Sequence, residues 1–292
     1  MTLDMELKVP EYDTTLKYHS TRPPDEAVVK KLCESLDLAR EIVEDACANL
    51  AYALTDPADH PRIQQASGDT CIPDNLEAGK EAARYHFKLE ALTSEEARKE
   101  ARTKIFQIMT ETDEGLNRSM TLSDSLNYYT WNDYAQDEPR VALGKSRAGT
   151  EDEAEEGHVK VSGKFIPKSA YWTSEEFVKG ARSIHIEFSL AAVYPPFQLA
   201  RLIVHEATHK FAGTSDHAYT YEEDDYEDLT YQERVFNADS YAYVVISIAL
   251  NKLIKNENQL FEVVPQDYQR TPKKVRSPIQ KFVGEKRQDV VQ

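Results

Sequence analysis

The stretch IVHEATHKFAGTSDHAY, residues 203–219, gathers three of the chain's eight histidines with one glutamate and one aspartate. His205 and His209 stand four apart. In a helix, that spacing puts two side chains on one face about a turn apart, so the two rings can share an ion. Glu206 follows on the neighbouring edge, too far round to be a ligand but placed to take a proton from a water activated at the metal. Two neutral imidazoles with an adjacent acid therefore predict a zinc site that works by hydrolysis, one ion per chain. The third ligand stays open on spacing alone. Asp216 and His217 lie just beyond Gly213, where the chain can turn back under the metal, and Glu233 is the candidate if the ligand comes from a following helix.

The elements that must position these residues are partly written in the same region. Pro195-Pro196 can open a helix, because first-turn N–H groups lack intrahelical partners, and Gly213 can close it in a left-handed conformation. A helix over about 196–212 follows. Val204, Ala207, Thr208 and Phe211 share one of its faces and Leu202 lies on the other side, so it is apolar on more than one side, as suits a helix at the floor of a cleft. Downstream, Val235, Asp239, Ala242, Ile246, Ala249 and Leu253 keep helical spacing and set a carboxylate on an apolar face. A buried charge must be paired or bound. Asp239 can support a histidine or a backbone group, read a substrate side chain, or ligate the metal.

Farther out, residues 25–55 place Val28, Leu32, Leu36, Ala39, Val43, Ala46 and Leu50 at steps of three and four, which predicts a long helix. Residues 75–92 and 93–113 repeat helical composition, with TSEE at 93–96 as a helix start. GHVKVSGKF alternates as a half-buried strand does, and SIHIEFSL at 183–190 is a second strand candidate, carrying His185 beside the cleft. Beyond about 256 the chain is dotted with proline and reads as an extended tail. The expected organisation is a helical region over 1–115, a catalytic domain over 116–256 and a tail over 257–292. His19, His60, His86 and His158 read as solvated.

Composition excludes several classes. The net charge is -16; residues 257–292 carry seven Lys/Arg against five Asp/Glu, which leaves -18 on the rest. Nucleic acid is excluded as a partner, since phosphate binding needs a basic surface. EDEAEE at 151–156 and EEDDYED at 222–228 read as solvated acidic loops, the second able to draw cationic substrates. A mean hydropathy of -0.62 excludes a membrane span. MTLDMELKVPEYD lacks the basic start and apolar run of a signal peptide. Three cysteines, Cys33, Cys47 and Cys71, read as reduced thiols. These features lead us to expect a cytoplasmic protein, or one exported by a dedicated or non-classical route such as a delivered bacterial effector.

Ala212 and Ser215 stand where a metzincin needs glycine and histidine, and Glu233 is the formal gluzincin-type ligand. HEATH followed by GTSDHAY resembles the aspzincin metallopeptidases, the deuterolysin and peptidyl-Lys metalloendopeptidase group, whose signature is H-E-x-x-H followed by G-T-x-D-x-x-Y-G. Gly213, Thr214, Asp216 and Tyr219 fall on matching positions, and the final glycine is Thr220. The resemblance covers roughly residues 184–245. It implies that Asp216 is the third zinc ligand, Glu206 the general base and Tyr219 an oxyanion-stabilising hydroxyl. NAD at 237–239 is similar to a motif of the lysine-specific members, which implies a substrate-binding role for Asp239; Ala242 stands where those members carry a second acid.

The expected fold is thus α+β and predominantly helical, with a zincin-like metallopeptidase domain behind an N-terminal helical region. The expected activity is zinc-dependent endoproteolysis of protein or peptide substrates, with a preference for basic residues. A reading from another class is a non-catalytic, zinc-stabilised interaction protein with an acidic surface. A fourth protein ligand such as His217 would close the site and favour it.

Overall fold

The structure is a computed structural model; it describes residues 4–67, 72–124, 144–146, 158–161, 164–167 and 183–263. The acidic run at 151–156, Cys71 and the tail beyond 263 lie outside the described residues. The architecture is α+β and mostly helical.

The chain opens with two strands that the sequence reading missed. β1 (Asp4–Val9) pairs antiparallel with β2 (Thr14–His19), joined by a tight turn at Pro10–Tyr12 and by Asp13 in the left-handed region, φ 45°. β3 (Met120–Asp124) and β7 (Ser183–Ile186) extend this sheet in parallel, and β4 (Gly144–Ser146) closes the far edge antiparallel, in the order β1-β2-β3-β7-β4. Leu16, Leu122 and Ile184 align across the three central strands and are fully buried, so one row of the sheet faces the core. The alternating stretch at 157–165, predicted as one strand, contributes instead to two paired strands, β5 (His158–Val161) and β6 (Lys164–Pro167), antiparallel and separate from the main sheet.

The predicted helices are present with shifted ends. α1 (Glu26–Ala53) starts where the Asp25 carboxylate accepts from the Val28 N–H at 2.8 Å, and it buries the expected face from Leu32 to Leu50. α2 (His60–Ser67) was not foreseen. α3 (Leu76–Phe87) ends at Lys88, φ 49°, and α4 (Glu95–Leu116) is capped by the Ser94 hydroxyl. After the short α5 (Leu190–Val193) comes α6 (Pro196–Ala212), the element around which the others gather: α1, α4 and α9 (Ala238–Ala249) pack against it, and β7 lies alongside. One hydrophobic cluster runs from Val9 through α1, α4 and α6 to Leu260, and so draws on both sides of the expected boundary near residue 115.

Four expectations are corrected. The run 222–228 is a short helix, α7 (Glu223–Asp228), because Tyr226 is buried beneath its acids. Residues 257–263 are not extended but form α10 (Glu257–Val263), seeded by Asn256, whose side chain accepts from the Gln259 N–H, and anchored by buried Leu260. His60 and His86 are buried rather than solvated. His60 bonds the Tyr52 carbonyl, and His86 has both ring nitrogens occupied, Nδ1 by the Tyr226 hydroxyl at 2.8 Å and Nε2 by the Ile254 carbonyl at 2.9 Å. Cys33 and Cys47 are free thiols. Among the described residues no helix is long and apolar enough to cross a membrane.

Candidate metal centre

α6 is buried from Phe197 to Lys210, so His205, Glu206 and His209 lie inside the molecule, each 5% exposed or less. The helix ends at Gly213, φ 68°, a conformation that costs glycine nothing. From there the chain reverses. Bonds from three directions then hold residues 214–220. The Thr214 and Thr208 hydroxyls meet at 2.8 Å. Ser215 exchanges backbone hydrogen bonds with Phe236 and Ala238, its N–H donating to the former's carbonyl and its carbonyl accepting from the latter. Asn237 accepts from the N–H groups of His217 and Ala218 and donates to the Ala218 carbonyl. This clasp sets Asp216 over the two histidines.

The three donor atoms converge. Asp216 Oδ1 is 3.1 Å from His205 Nε2 and 3.0 Å from His209 Nε2, and the two Nε2 atoms are 3.2 Å apart. Ligands around a tetrahedral zinc at bond lengths of about 2.0–2.2 Å are about 3.3 Å from one another, so this triangle matches one face of such a polyhedron to within a few tenths of an ångström. The other ring nitrogens are engaged from behind. His205 Nδ1 faces Asp239 Oδ1 at 2.7 Å and His209 Nδ1 faces the Thr214 carbonyl at 2.9 Å. Both acceptors demand an N–H at Nδ1, which leaves each Nε2 lone pair directed at the shared point. A His-His-Asp group that could hold a metal ion is therefore present.

The electrostatics are those of a cation receptor. Burial opposes a charge on His205, but Asp216 and then Asp239 outweigh it and push the imidazole up to about 10; Asp216 likewise outweighs burial at His209 and raises it. Burial would raise Asp216, yet the two histidines hold it well below the usual carboxylate range. The Asp216 charge that raises both imidazoles offers the same negative potential to a metal cation, which has to displace their protons in order to bind.

Glu206 Oε1 lies 3.9 Å from His205 Nε2, beside the donor triangle but outside it. The Tyr219 hydroxyl donates to Asp216 Oδ2 at 3.0 Å, and its ring stacks on His205 with centroids 6.0 Å apart. Burial first, then the Asp216 charge, raises the phenol far above its ordinary value, so it stays protonated and can donate. Asp239 does not face an open subsite. It is 2% exposed, and besides His205 it accepts from the Thr220 N–H at 2.8 Å and lies 3.5 Å from Arg201. Of its three possible roles, support of a histidine is the one this environment fits. Glu233 is not brought to the centre; its carboxylate caps its own helix, α8 (Tyr231–Phe236), through Thr230. His217 is exposed and is not among the converging ligand atoms. His185 lies on β7, and its side chain is outside the described residues.

Sequence reasoning missed Arg201 and Tyr221, and it named Thr214 and the NAD run that holds Asn237 without the hydrogen bonds that give them their places here. Arg201 precedes His205 by one helical turn; it is 7% exposed, wedged between Asp239 and Glu257, with its guanidinium 5.6 Å from the centre of the Tyr243 ring. A buried arginine on an apolar helix is a detectable signal, since it needs an acid. Thr214 acts through its backbone carbonyl as well as its hydroxyl, and a backbone contact is one that no residue type reveals. Compared with protein-family models, curated proteins and solved structures, the chain has no match.

Proposed function

We propose that this chain is a zinc-dependent metalloendopeptidase of the aspzincin kind. The observation that carries the reading is the triangle of His205 Nε2, His209 Nε2 and Asp216 Oδ1, 3.0–3.2 Å on a side, with the Glu206 carboxylate next to it. Two imidazoles and one carboxylate suit zinc better than magnesium or calcium, which take oxygen ligands. Three protein ligands leave a fourth position, the mark of catalytic zinc. The resemblance of HEATH and GTSDHAY to the aspzincin signature supports peptides as the substrate class.

Zinc held by His205, His209 and Asp216 would supply positive charge that acidifies water and polarises a carbonyl. The remaining work falls to the chain. Glu206, not bound as a ligand, accepts the proton of the attacking water and returns it to the departing amine. Tyr219, kept protonated, turns its hydroxyl from Asp216 to the oxygen on which negative charge develops. Asp239 and the Thr214 carbonyl keep both imidazoles in the Nδ1–H tautomer.

The test is metal analysis joined to digestion of an unfolded protein. We expect about one zinc per chain, activity lost with a chelator, and in Glu206→Gln a loss of about 10²–10⁴-fold in turnover with zinc retained. A protein that keeps zinc but cuts nothing would point to the non-catalytic reading. A Glu206→Gln variant as active as the parent would remove Glu206 as the base.

A further inference from the structure

Three rings run outward from the metal centre. Tyr219 stacks on His205 with planes 18° apart, and Tyr221 stacks on Tyr219 at 5.2 Å with planes 7° apart. Tyr221 is 56% exposed although one of its faces is covered, so a large aromatic surface is open to solvent two ring steps from a zinc ligand. An extended peptide spans about 3.3–3.6 Å per residue. A side chain resting on Tyr221 therefore belongs to a residue within about three positions of a bond held at the three ligands.

The surroundings say which side chain fits. Glu222 follows directly, and the exposed acids Glu223, Asp224, Asp225, Glu227 and Asp228 line α7 just beyond it. Burial first, and then the charges of Glu222, Asp239, Asp216 and Glu257, raise the Tyr221 phenol. Phenylalanine would cover the ring but gain nothing from this field. Lysine would answer the field as a compact, strongly hydrated point charge with no face to stack. A guanidinium is planar, weakly hydrated and always charged, so it satisfies the ring and the acids together.

We propose that the outer face of Tyr221 is a subsite for the guanidinium of an arginine near the bond to be cut; the link to cleavage rests on the peptidase reading above. The test uses the full chain as zinc-loaded Glu206→Gln, so that peptides are bound and not consumed. The probes are fluorescein-labelled peptides of one alanine-serine frame carrying a single Arg, Lys, Phe or Ala at a scanned position. We expect arginine to bind about threefold to fivefold more tightly than lysine or phenylalanine, the scale of an exposed cation–π contact. Tyr221→Ala in the same background should abolish the difference and Tyr221→Phe should keep it. Equal binding of lysine and arginine, preference for phenylalanine, absence of any side-chain dependence, or indifference to Tyr221→Ala would each overturn the subsite. The unmodified protein, given the same peptides, separates the two claims: arginine preference in binding without cleavage would sink the peptidase reading and leave the subsite, whereas cleavage without that preference would do the reverse.

Discussion

Asp216 does two jobs with one carboxylate, Oδ1 facing both histidines and Oδ2 receiving the Tyr219 hydroxyl. Asp216→Asn replaces an oxygen donor's full charge with a dipole and should cost at least tenfold in zinc affinity, while Glu233→Ala should leave it unchanged; competition with a chromophoric chelator measures both. If Glu233→Ala were the variant that lost zinc, the ligand set would be a different one. His86 makes a separate prediction far from the metal. Burial pushes it down to about 3, because a charge there would be desolvated and the Tyr226 hydroxyl already donates to its Nδ1. A depressed pKa means that the stability His86 contributes is complete above about pH 6.5 and is lost as pH falls toward 3, since the unfolded chain takes up the proton first. By pH 5 that loss is about 2 kcal/mol. His86→Gln should be less stable at pH 7 yet fall less between pH 7 and pH 5, as read from urea midpoints. An equal fall in both proteins would refute the assignment.

At the scale of elements, α6 is held where it meets α4. A Cβ on Gly115 would stand 2.1–2.5 Å from the ring atoms of Phe211, so α4 passes α6 at a distance only glycine permits. Phe211 shares the last turn of α6 with His209. Gly115→Ala should therefore destabilise the fold by about 1–3 kcal/mol and weaken zinc binding with it, seen as a shifted unfolding midpoint and a faster loss to chelator. No change in either would mean that the ring swings aside freely. The same helix explains what could be read from sequence. Its bounds, 196 and 212, were legible because proline and glycine have backbone preferences that survive any tertiary context. The two histidines and Glu206 followed from helical spacing. The place of Asp216 in the candidate group did not, since it is seated by Asn237, more than twenty residues away, through backbone groups that leave no trace in spacing. The strands β1 and β2 were missed for a related reason. Their alternation is short, Met5 and Leu7 on β1 remain exposed, and parallel pairing of β2 with residues 120–123 supplies the order that composition does not.

Across the whole molecule, α6 is lined from both sides of the expected boundary near residue 115. α1 and α4, from the first 116 residues, form much of the wall against which α6 packs, and β2 pairs directly with β3. A fragment of residues 116–256, the catalytic segment expected from sequence, should then lack cooperative unfolding by circular dichroism and retain no zinc; a folded, zinc-loaded fragment would show that the shared core is dispensable. The same topology sets a clock on synthesis. The last residue of α1 is 53 and the first of α6 is 196. At about 5–20 residues per second, roughly 7–29 s separate their appearance. Throughout that interval the apolar flank of α1 has no α6 to meet, and for much of it β2 waits for its distant parallel partner β3. The nascent chain is thus most prone to aggregate midway through its own translation, and slower elongation lengthens the exposure even though the finished protein is unchanged.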